Sequence, residues 1–405
     1  MFDVNAIRQD FPILHQEVNG KPLVYLDNGA STQKPECVIK AIDQYYRLDN
    51  SNVHRGAHTL SDRATIAFED ARKGVQTFLN AEHSEEIIWT RGTTESINIV
   101  AQSFGAQFIQ AGDQIIVTAM EHHANIVPWQ MLCERTGAEL KVIPVSDSGD
   151  LDMTAFASML NDKVKLVSVV HVSNALGTVN PVADIIKQSH GVGAKVLIDG
   201  AQAVAHFPVD VQALDADFYV FSGHKVFGPT GIGVLYGKKA LLDAMPPVQG
   251  GGEMIEKVSF SGTTYQGLPF KFESGTPHIA GAIGLDAALK YVMALDRDAM
   301  ATHEDALLKH AHARAEQCEG MRLVGTAQQK AGVMSFLLDG AHPADIGMLL
   351  DQQGIAVRTG HHCAMPIMDQ FQIPGTARAS FSIYNTIEEV DALFDAIEKV
   401  KMFLM

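Results

Sequence analysis

Short runs of apolar and β-branched residues recur through the first two thirds of the chain and predict the strands of one sheet. Seven such runs occur, at residues 87–89, 115–117, 140–145, 166–172, 196–198, 218–221 and 232–236. Helical patterns lie between several of them, for example at 94–108 and 181–191. Strands that alternate with helices form sheets covered on both faces, so the pattern predicts an α/β fold with a seven-stranded, mainly parallel sheet.

The pattern changes after about residue 270, where long helical stretches begin. Two of these stretches span residues 280–295 and 300–318, and a strand at 332–338 and a final helix from Ile387 follow them. We therefore predict a large domain at 24–270 and a smaller α+β domain formed by 271–405. Residues 1–23 are too few to fold alone, and we expect them to pack with the C-terminal part.

Composition and charge exclude several classes of protein. Of the 405 residues, 46% are hydrophobic, which is typical of a globular chain with a sizeable core. The 47 acidic and 31 basic residues give a net charge of −16, which argues against a nucleic-acid partner. The chain begins without a signal-peptide pattern, and no apolar stretch reaches the roughly 18 residues that span a membrane. We expect a cytoplasmic protein with no membrane partner.

Residues that directly follow the predicted strands are the first candidates for chemistry, because ligands of α/β sheets bind at the carboxyl ends of strands. Thr93 and Thr94 open a helix after the first strand, where free N–H groups either bind a phosphate or are capped by a threonine. Asp199 follows the run at 196–198. Its carboxylate either pairs with a cation such as a protonated heterocyclic nitrogen or caps a helix.

Lys225 follows the apolar run at 218–221, with Ser222 and His224 beside it. Lysine is seldom buried unless it is paired, neutral or covalently engaged, and a desolvated lysine with a lowered pKa is suited to forming a Schiff base. A lysine that extends to the surface is the alternative.

Two adjacent histidines, His122 and His123, also follow a strand. Adjacent residues of a helix point in different directions, so this spacing does not favour a metal site, whereas stacking on an aromatic ligand or capping a helix remains open. The four cysteines lie far apart without any Cys-x-x-Cys pair, so neither a disulfide framework nor a zinc site is predicted. We expect no metal ion.

Two motifs make a resemblance specific. Residues 222–225, Ser-Gly-His-Lys, resemble the lysine motif of class V aminotransferase-like enzymes, a branch of the fold-type I pyridoxal-phosphate (PLP) enzymes. Residues 358–366, Arg-Thr-Gly-His-His-Cys-Ala-Met-Pro, resemble the active-site cysteine loop of group II cysteine desulfurases of the SufS and CsdA type. Further matches at 54–56, 121–125, 275–277 and 378–380 extend the resemblance to nearly the whole chain.

This resemblance implies a PLP cofactor and a role for each matching residue. Lys225 would hold PLP covalently and move protons, Asp199 would pair with the pyridine nitrogen, and Gln202 would bind the phenolic oxygen. His122 would stack on the ring. The phosphate would be bound by Thr93, Thr94, Ser222 and His224, and by Thr276 of the neighbouring subunit of a homodimer.

The resemblance also implies the reaction. Arg378 would bind the carboxylate of L-cysteine, and Cys363 would attack the sulfur, leaving a persulfide on the enzyme and releasing L-alanine. The substrate site would also include Asn174 and Arg358, together with His54 and Arg55, whose segment at 54–56 resembles one that enters the neighbouring subunit's pocket. The persulfide sulfur would pass to a SufE/CsdE-like acceptor protein for iron–sulfur cluster or other sulfur-cofactor assembly. Arg358, His361 and His362 would raise the thiolate fraction of Cys363.

Other interpretations remain open. A selenocysteine lyase acting on L-selenocysteine need not depend on Cys363, because a selenol is already a good nucleophile and leaving group. An ordinary transaminase gives the cysteine loop no role, and a non-catalytic protein would use His361, His362 and Cys363 to bind a metal. Two departures from the family pattern, Gly29 and His278, replace no catalytic group, and the choice between a SufS-like and a CsdA-like pathway stays open.

Overall fold

The computed structural model describes residues 2–404 and contains strands in several small sheets and one large sheet. The strands are β1 (Glu17–Val18), β2 (Lys21–Pro22), β3 (Val24–Tyr25), β4 (Ile87–Thr90), β5 (Gln114–Thr118), β6 (Glu139–Ile143), β7 (Val164–Val170), β8 (Lys195–Asp199), β9 (Phe218–Ser222), β10 (Gly233–Gly237), β11 (Ile255–Ser259), β12 (Gly262–Tyr265), β13 (Met321–Val324), β14 (Val333–Leu338), β15 (Ile355–Ala356), β16 (Arg358–Gly360) and β17 (Thr376–Ser380).

Helices connect most of the strands and form the C-terminal end of the fold. They are α1 (Val4–Gln9), α2 (Glu36–Gln44), α3 (Thr59–Leu79), α4 (Thr93–Val100), α5 (Ala106–Phe108), α6 (Val127–Thr136), α7 (Met153–Met159), α8 (Val182–Gly191), α9 (Val211–Leu214), α10 (Lys239–Ala244), α11 (Ile279–Ala294), α12 (Arg297–Gln317), α13 (Pro343–Asp351), α14 (Met365–Gln370) and α15 (Ile387–Leu404). None of these helices is long and apolar enough to cross a membrane.

The large sheet has seven strands in the order β4-β10-β9-β8-β7-β5-β6. The pairs from β9 to β6 are parallel, and β10 is antiparallel to both of its neighbours, β4 and β9. The carboxyl ends of every strand except β10 therefore meet at one edge. The predicted seven-stranded, mainly parallel sheet is confirmed, because each apolar run in this region forms one of its strands.

Both faces of the large sheet are buried, as its continuous apolar runs require. Neighbouring residues of one strand alternate between two hydrophobic clusters: Val196 and Ile198 of β8 belong to one cluster, and Leu197 belongs to the other. Helix α11 packs against α2 and α3. Its residues Ala282, Leu285 and Leu289 join the first of the two clusters.

The helical pattern at 94–108 is not one continuous helix. Helix α4 ends at Val100, a wider helical turn spans residues 101–105, and α5 follows. A Cβ atom on Gly105 would lie 2.4 Å from Leu132 Cδ2, so the backbone at this turn packs directly against the side chain of α6. The hydrophobic periodicity of the sequence does not predict tertiary packing of this kind.

A smaller antiparallel sheet, ordered β13-β14-β17-β16, lies with α12, α13 and α15 around a separate hydrophobic cluster. The N-terminal segment contacts this part, since β3 pairs in parallel with β15 and Arg8 forms a 2.9 Å ion pair with Glu389. The segment also contacts the larger part, where Phe11 packs on Phe227. The domain limits at 24–270, 1–23 and 271–405 stay a prediction.

Candidate active site

The carboxyl edge of the large sheet opens into a cavity of about 190 Å³. Turns and loops that follow β4, β5, β7, β8 and β9 reach it from the large sheet, and β16, its following loop and β17 reach it from the small sheet. The cavity brings together most of the residues predicted for the site: Thr93, Thr94, His122, Asn174, Asp199, Gln202, Ser222, His224, Lys225, Arg358, Cys363 and Arg378.

Lys225 ends the short turn after β9, and its side chain is half-buried in the cavity. Burial lowers its pKa to about 8, while the Asp199 carboxylate acts in the opposite direction. Within residues 2–404, no carboxylate lies within ion-pair distance of its ammonium group. An amine with a pKa of about 8 is roughly one tenth neutral at pH 7, far more than an ordinary lysine, and the neutral amine is the nucleophilic form.

Asp199 is the last residue of β8 and is only 3% exposed. Its Oδ1 accepts a hydrogen bond from the Ala201 N–H at 2.9 Å. Burial raises the pKa of this carboxyl, while the bond to Ala201 and the charge of Lys225 lower it. A buried carboxylate with one backbone donor favours a further cationic partner in the cavity.

The turn between β4 and α4 lies against the end of β9. The Thr93 N–H donates to Ser222 Oγ at 2.9 Å, and the Thr93 hydroxyl lies 2.9 Å from the same oxygen. Close packing here requires glycine, because a Cβ on Gly233 would lie 2.4 Å from the Gly92 Cα. The first N–H groups of α4 have no partner within the helix, so this corner is suited to an anion.

Arg378 lies in the middle of β17 and is 1% exposed. Its guanidinium donates to Asn174 O at 2.8 Å and to Asp27 Oδ1 at 3.0 Å, and its Nε has no protein acceptor. A Cβ on Gly29 would lie 3.1 Å from Arg378 Cζ, so Gly29 gives the guanidinium room. The guanidinium is held rigidly and its Nε has no acceptor among the described residues, so it is suited to binding a carboxylate.

Cys363 is half-buried in the loop between β16 and α14. Both His362 and Cys363 have left-handed backbones, with φ of 52° and 56°, and such non-glycine conformations cost about 1–3 kcal/mol each. The Asn174 amide donates to His362 O at 2.6 Å, and the His362 Nε2 lies 2.8 Å from Thr376 Oγ1. Contacts with Asn174 and Thr376 therefore hold the His362 side of this loop in place.

The expectation that His362 adds positive charge beside the thiol is wrong. His362 is buried, and burial together with the charges of Arg378 and Arg358 lowers its pKa to about 3. The ring is therefore neutral at physiological pH. Arg358 carries the permanent charge of this loop, with its side chain 44% exposed and 4.0 Å from the Asp27 carboxylate.

Three predicted residues lie outside this cavity. Thr276 is exposed and lines a second cavity that shares no lining residue with the first. His54 lies 2.9 Å from Glu69, and Arg55 lies 3.4 Å from Glu253. Their predicted contributions to a neighbouring subunit's pocket are compatible with these exposed or peripheral positions and stay predictions.

Sequence reasoning missed two residues that shape the site. Asp27, which binds Arg378, follows the two-residue strand β3 and was hidden because that strand is too short to give a pattern. Thr376 begins β17 and contacts His362 only through the fold. A search for carboxylates after every short apolar pair would have found Asp27, whereas no local signal marks Thr376.

Comparison with known proteins decides the family. Residues 24–393 match the model of the aminotransferase class-V family. The chain belongs to this family. A cysteine desulfurase of Synechococcus elongatus is 54% identical over 400 residues, which are 99% of this chain and 64% of that relative. A probable cysteine desulfurase of Vibrio cholerae is 54% identical over 399 residues, which are 98% of each chain.

Solved structures agree with these relatives. The cysteine desulfurase CsdA of Escherichia coli superposes with a TM-score of 0.93 at 41% identity and covers 100% of both chains. A more distant solved structure, 25% identical with a TM-score of 0.82, is a C-DES mutant with glycine covalently linked to its PLP cofactor, and the match covers 96% of this chain and 98% of that one. The predicted resemblance to cysteine desulfurases and the fold-type I architecture are confirmed.

Proposed function

We propose that the protein is a PLP-dependent L-cysteine desulfurase. The observation that carries this proposal is one cavity in which Lys225, Asp199 and Arg378 lie together with the thiol of Cys363. The first three residues would serve any PLP enzyme that acts on an amino acid, whatever reaction it catalyses. Only a reaction that transfers sulfur gives the thiol a role.

The residues of the cavity fit PLP. Asp199 supplies a buried carboxylate for the protonated ring nitrogen, and Lys225 supplies an amine whose pKa is lowered to about 8 for covalent attachment. Gln202 lines the cavity, donates to Gly29 O at 2.7 Å and would bind the phenolic oxygen, and His122, which also lines the cavity, would stack on the ring face. Thr93, Thr94, Ser222 and His224 would hold the phosphate. Bound PLP supplies an electron sink for the carbanion at the substrate Cα.

His122 is suited to stacking because it is neutral. Burial and the charge of Lys225 lower its pKa to about 4. Its Nδ1 accepts the Ala124 N–H at 3.0 Å, which fixes both the ring orientation and the position of its proton on Nε2. A neutral ring in a fixed orientation does not repel the protonated pyridine nitrogen.

Substrate binding follows from the cationic fork of Arg378. Its buried Nε has no hydrogen-bond acceptor among the described residues, and Arg378 lines the cavity together with Asn174, whose Oδ1 is also without a partner there. A substrate carboxylate satisfies the guanidinium, and the amide oxygen of Asn174 accepts from a donor group of the substrate. Arg358 adds a second positive charge at the entrance.

Sulfur transfer assigns the thiol its role. The Cys363 thiolate attacks the substrate sulfur, the carbon–sulfur bond of L-cysteine breaks, and the sulfur stays on Cys363 as a persulfide. Lys225 removes the Cα proton and returns it, the proton of the substrate thiol ends on Cβ, and the carbon skeleton leaves as L-alanine while the persulfide keeps the negative charge of the attacking thiolate. The number of electrons balances within the reaction, because the persulfide sulfur is oxidised as the carbon skeleton is reduced.

Two further parts of the proposal concern partners. The persulfide would pass to a SufE/CsdE-like acceptor protein and from there to iron–sulfur cluster or other sulfur-cofactor assembly. The enzyme would act as a homodimer in which Thr276, His54 and Arg55 contribute to the neighbour's pocket. The exposed position of Thr276 supports this arrangement, since its hydroxyl is available to a second subunit.

The decisive experiment incubates purified protein with L-cysteine and measures L-alanine together with persulfide on Cys363 by peptide mass spectrometry. Cys363→Ala should retain the visible absorbance of bound cofactor and form no persulfide, whereas the matched change Cys133→Ala should have no effect. Lys225→Ala should lose both the covalent attachment and all turnover. Undiminished persulfide output from Cys363→Ala would sink the proposal.

The Cys363→Ala variant also distinguishes a cysteine desulfurase from a selenocysteine lyase. L-Selenocysteine should be converted by Cys363→Ala if the enzyme is a selenocysteine lyase, because the selenol needs no enzyme thiol. Loss of activity on both substrates marks a cysteine desulfurase that uses Cys363 for both.

A further inference from the structure

The loop that carries Cys363 holds two consecutive left-handed residues, His362 and Cys363. Non-glycine residues keep such conformations only where the surrounding structure imposes them. The bonds of Asn174 and Thr376 described above hold the His362 side of the loop. They leave open what holds Cys363 itself and the residues that follow it.

His123 bonds the loop at two points on the far side. Its backbone N–H donates to Cys363 O at 2.7 Å, and its ring Nε2 accepts the Met365 N–H at 3.0 Å. The second bond joins residues 242 positions apart in the chain. One residue in the turn after β5 therefore binds the backbone of the thiol-bearing residue and the first residue of α14.

His361 completes this arrangement from within the loop. Its Nδ1 accepts the Cys363 N–H at 3.1 Å, and its ring lies 5.6 Å from the His123 ring at an angle of 32°. A backbone N–H can only donate, so Nε2 of His123 and Nδ1 of His361 are both unprotonated acceptors. The backbone N–H and C=O of Cys363 are thus each bonded to one of the two histidines.

We propose that His123 is a positioning residue that fixes the Cys363 thiol for attack on the substrate sulfur, which rests on the desulfurase function proposed above. His123 does not line the cavity, so it acts through the loop rather than on the substrate or cofactor. Its ring acceptor is the part that a side-chain substitution removes, because the backbone bond to Cys363 is available to every residue except proline. Losing the Met365 bond frees the N-terminus of α14 and lets the thiol move.

The test compares two substitutions of similar size in the holoenzyme. His123→Gln keeps an acceptor oxygen near the position of Nε2, whereas His123→Leu has none, and the exposed His83→Leu serves as the control. Because small displacements of a reacting group cost large factors, we expect His123→Leu to slow single-turnover persulfide formation by about tenfold to a hundredfold. His123→Gln should recover most of this loss. The KM for L-cysteine and the cofactor absorbance should stay unchanged.

A second readout does not depend on turnover. Iodoacetamide labelling followed by peptide mass spectrometry gives the alkylation rate of Cys363, with Cys133 as the internal reference. We expect His123→Leu to speed the labelling of Cys363 by about threefold or more, since local release of a half-buried segment exposes it. His123→Gln should stay close to the unmodified protein. If the unmodified enzyme forms no persulfide, the desulfurase proposal fails, while the labelling still decides the positioning role.

A third variant removes the same bond from its other end and guards against a folding defect in His123→Leu. Met365→Pro deletes the N–H donor at the first position of α14, where proline is tolerated. If the bond carries the effect, Met365→Pro reproduces it, and the double variant is no worse than either single one. Equal rates for His123→Leu, His123→Gln and the unmodified protein, or additive losses in the double variant, overturn the proposal.

Discussion

The two ends of the active-site cavity are built in different ways. At the lysine end, Asp199 is the last residue of β8 and Lys225 ends the short turn after β9, and both strands are buried in the interior of a seven-stranded sheet. At the cysteine end, Cys363 follows β16, a three-residue strand at the edge of the small sheet. Packing on both faces of a sheet holds the first end, whereas individual hydrogen bonds hold the second.

The two ends of the cavity therefore fix the positions of their reactive side chains in different ways. A side chain at the end of a packed strand is fixed by many apolar contacts, so the loss of one neighbour moves it little. A side chain on a loop with two left-handed residues depends on each bond that restrains the loop. We therefore expect substitutions of the reactive groups at the lysine end to abolish activity without changing the positions of the neighbouring side chains. Removal of a single hydrogen bond at the cysteine end should slow only sulfur transfer.

Replacing the buried carboxylate should give the largest effect. Asp199→Asn keeps the shape and the Ala201 bond and removes the negative charge that we propose keeps the pyridine nitrogen protonated. Loss of one preorganised charge at a reacting centre costs a factor of about 10² to 10³, so kcat should fall by this amount while cofactor stays bound. Steady-state kinetics and visible absorbance measure both. Asp210→Asn, at the half-buried N-cap of α9, is the control, and a kcat within twofold of normal for Asp199→Asn would contradict the assignment.

The lowered pKa of Lys225 should appear in the pH dependence of the rate at which the cofactor becomes attached. Below a pKa of about 8 the neutral fraction of the amine rises about tenfold per pH unit, and above it the fraction levels off. The rate at which cofactor-free protein takes up PLP covalently should therefore rise from pH 6 and reach a plateau above pH 8, as followed by stopped-flow absorbance. His362, with a pKa lowered to about 3, adds no step in this range. A rate that keeps rising to pH 10 would show an unshifted lysine.

One hydroxyl on the cysteine end should have a moderate and selective effect. Thr376→Val keeps the volume and removes the bond to His362 Nε2. A lost hydrogen bond of this type costs about 1 kcal/mol, so persulfide formation should slow by about fivefold to tenfold while the cofactor spectrum stays the same. Rapid-quench measurement of the Cys363 persulfide checks this. Thr359→Val, on the adjacent strand, is the matched control, and a changed cofactor spectrum in Thr376→Val would argue against separate ends.

The smallest effect should come from Gly29, where the two ends meet at Arg378. Its backbone is not left-handed, so alanine is allowed, but the new Cβ would lie 3.1 Å from Arg378 Cζ and displace the guanidinium by a few tenths of an ångström. Such overpacking is mild, and we expect the KM for L-cysteine to rise about threefold with kcat unchanged. Gly250→Ala, with open space around it, should leave KM as it is. An unchanged KM in Gly29→Ala means that the guanidinium yields without cost.

The lysine end could be predicted from sequence and the cysteine end only in part, for a physical reason. An apolar strand followed by Lys225 or Asp199 is a local pattern, and the rule that ligands bind at the carboxyl ends of strands converts it into a site. Cys363 lies after a strand too short to give a pattern, and the family resemblance of its loop, not its periodicity, identified it.

The partners of the cysteine loop could not be predicted. His123 and Met365, and Asn174 and His362, are joined over separations of 242 and 188 residues. The neutrality of His362 was also missed, because it depends on burial and on neighbouring arginines that come from two different strands. Contacts between residues so far apart form only in the folded chain and cannot be predicted from a short segment of the sequence.

The one antiparallel strand of the large sheet has a consequence for biosynthesis. Because β9 and β10 are adjacent and antiparallel, the lysine lies in a short connection that closes on itself, with the Gly223 N–H bonded to Ile232 O at 2.9 Å. Closing such a short loop requires little entropy and no later part of the chain. Proteins are made from the N-terminus, so this connection can form on the ribosome while the thiol loop, more than a hundred residues further on, is still being synthesised. The connection that carries Lys225 can thus form before the chain acquires the thiol of Cys363.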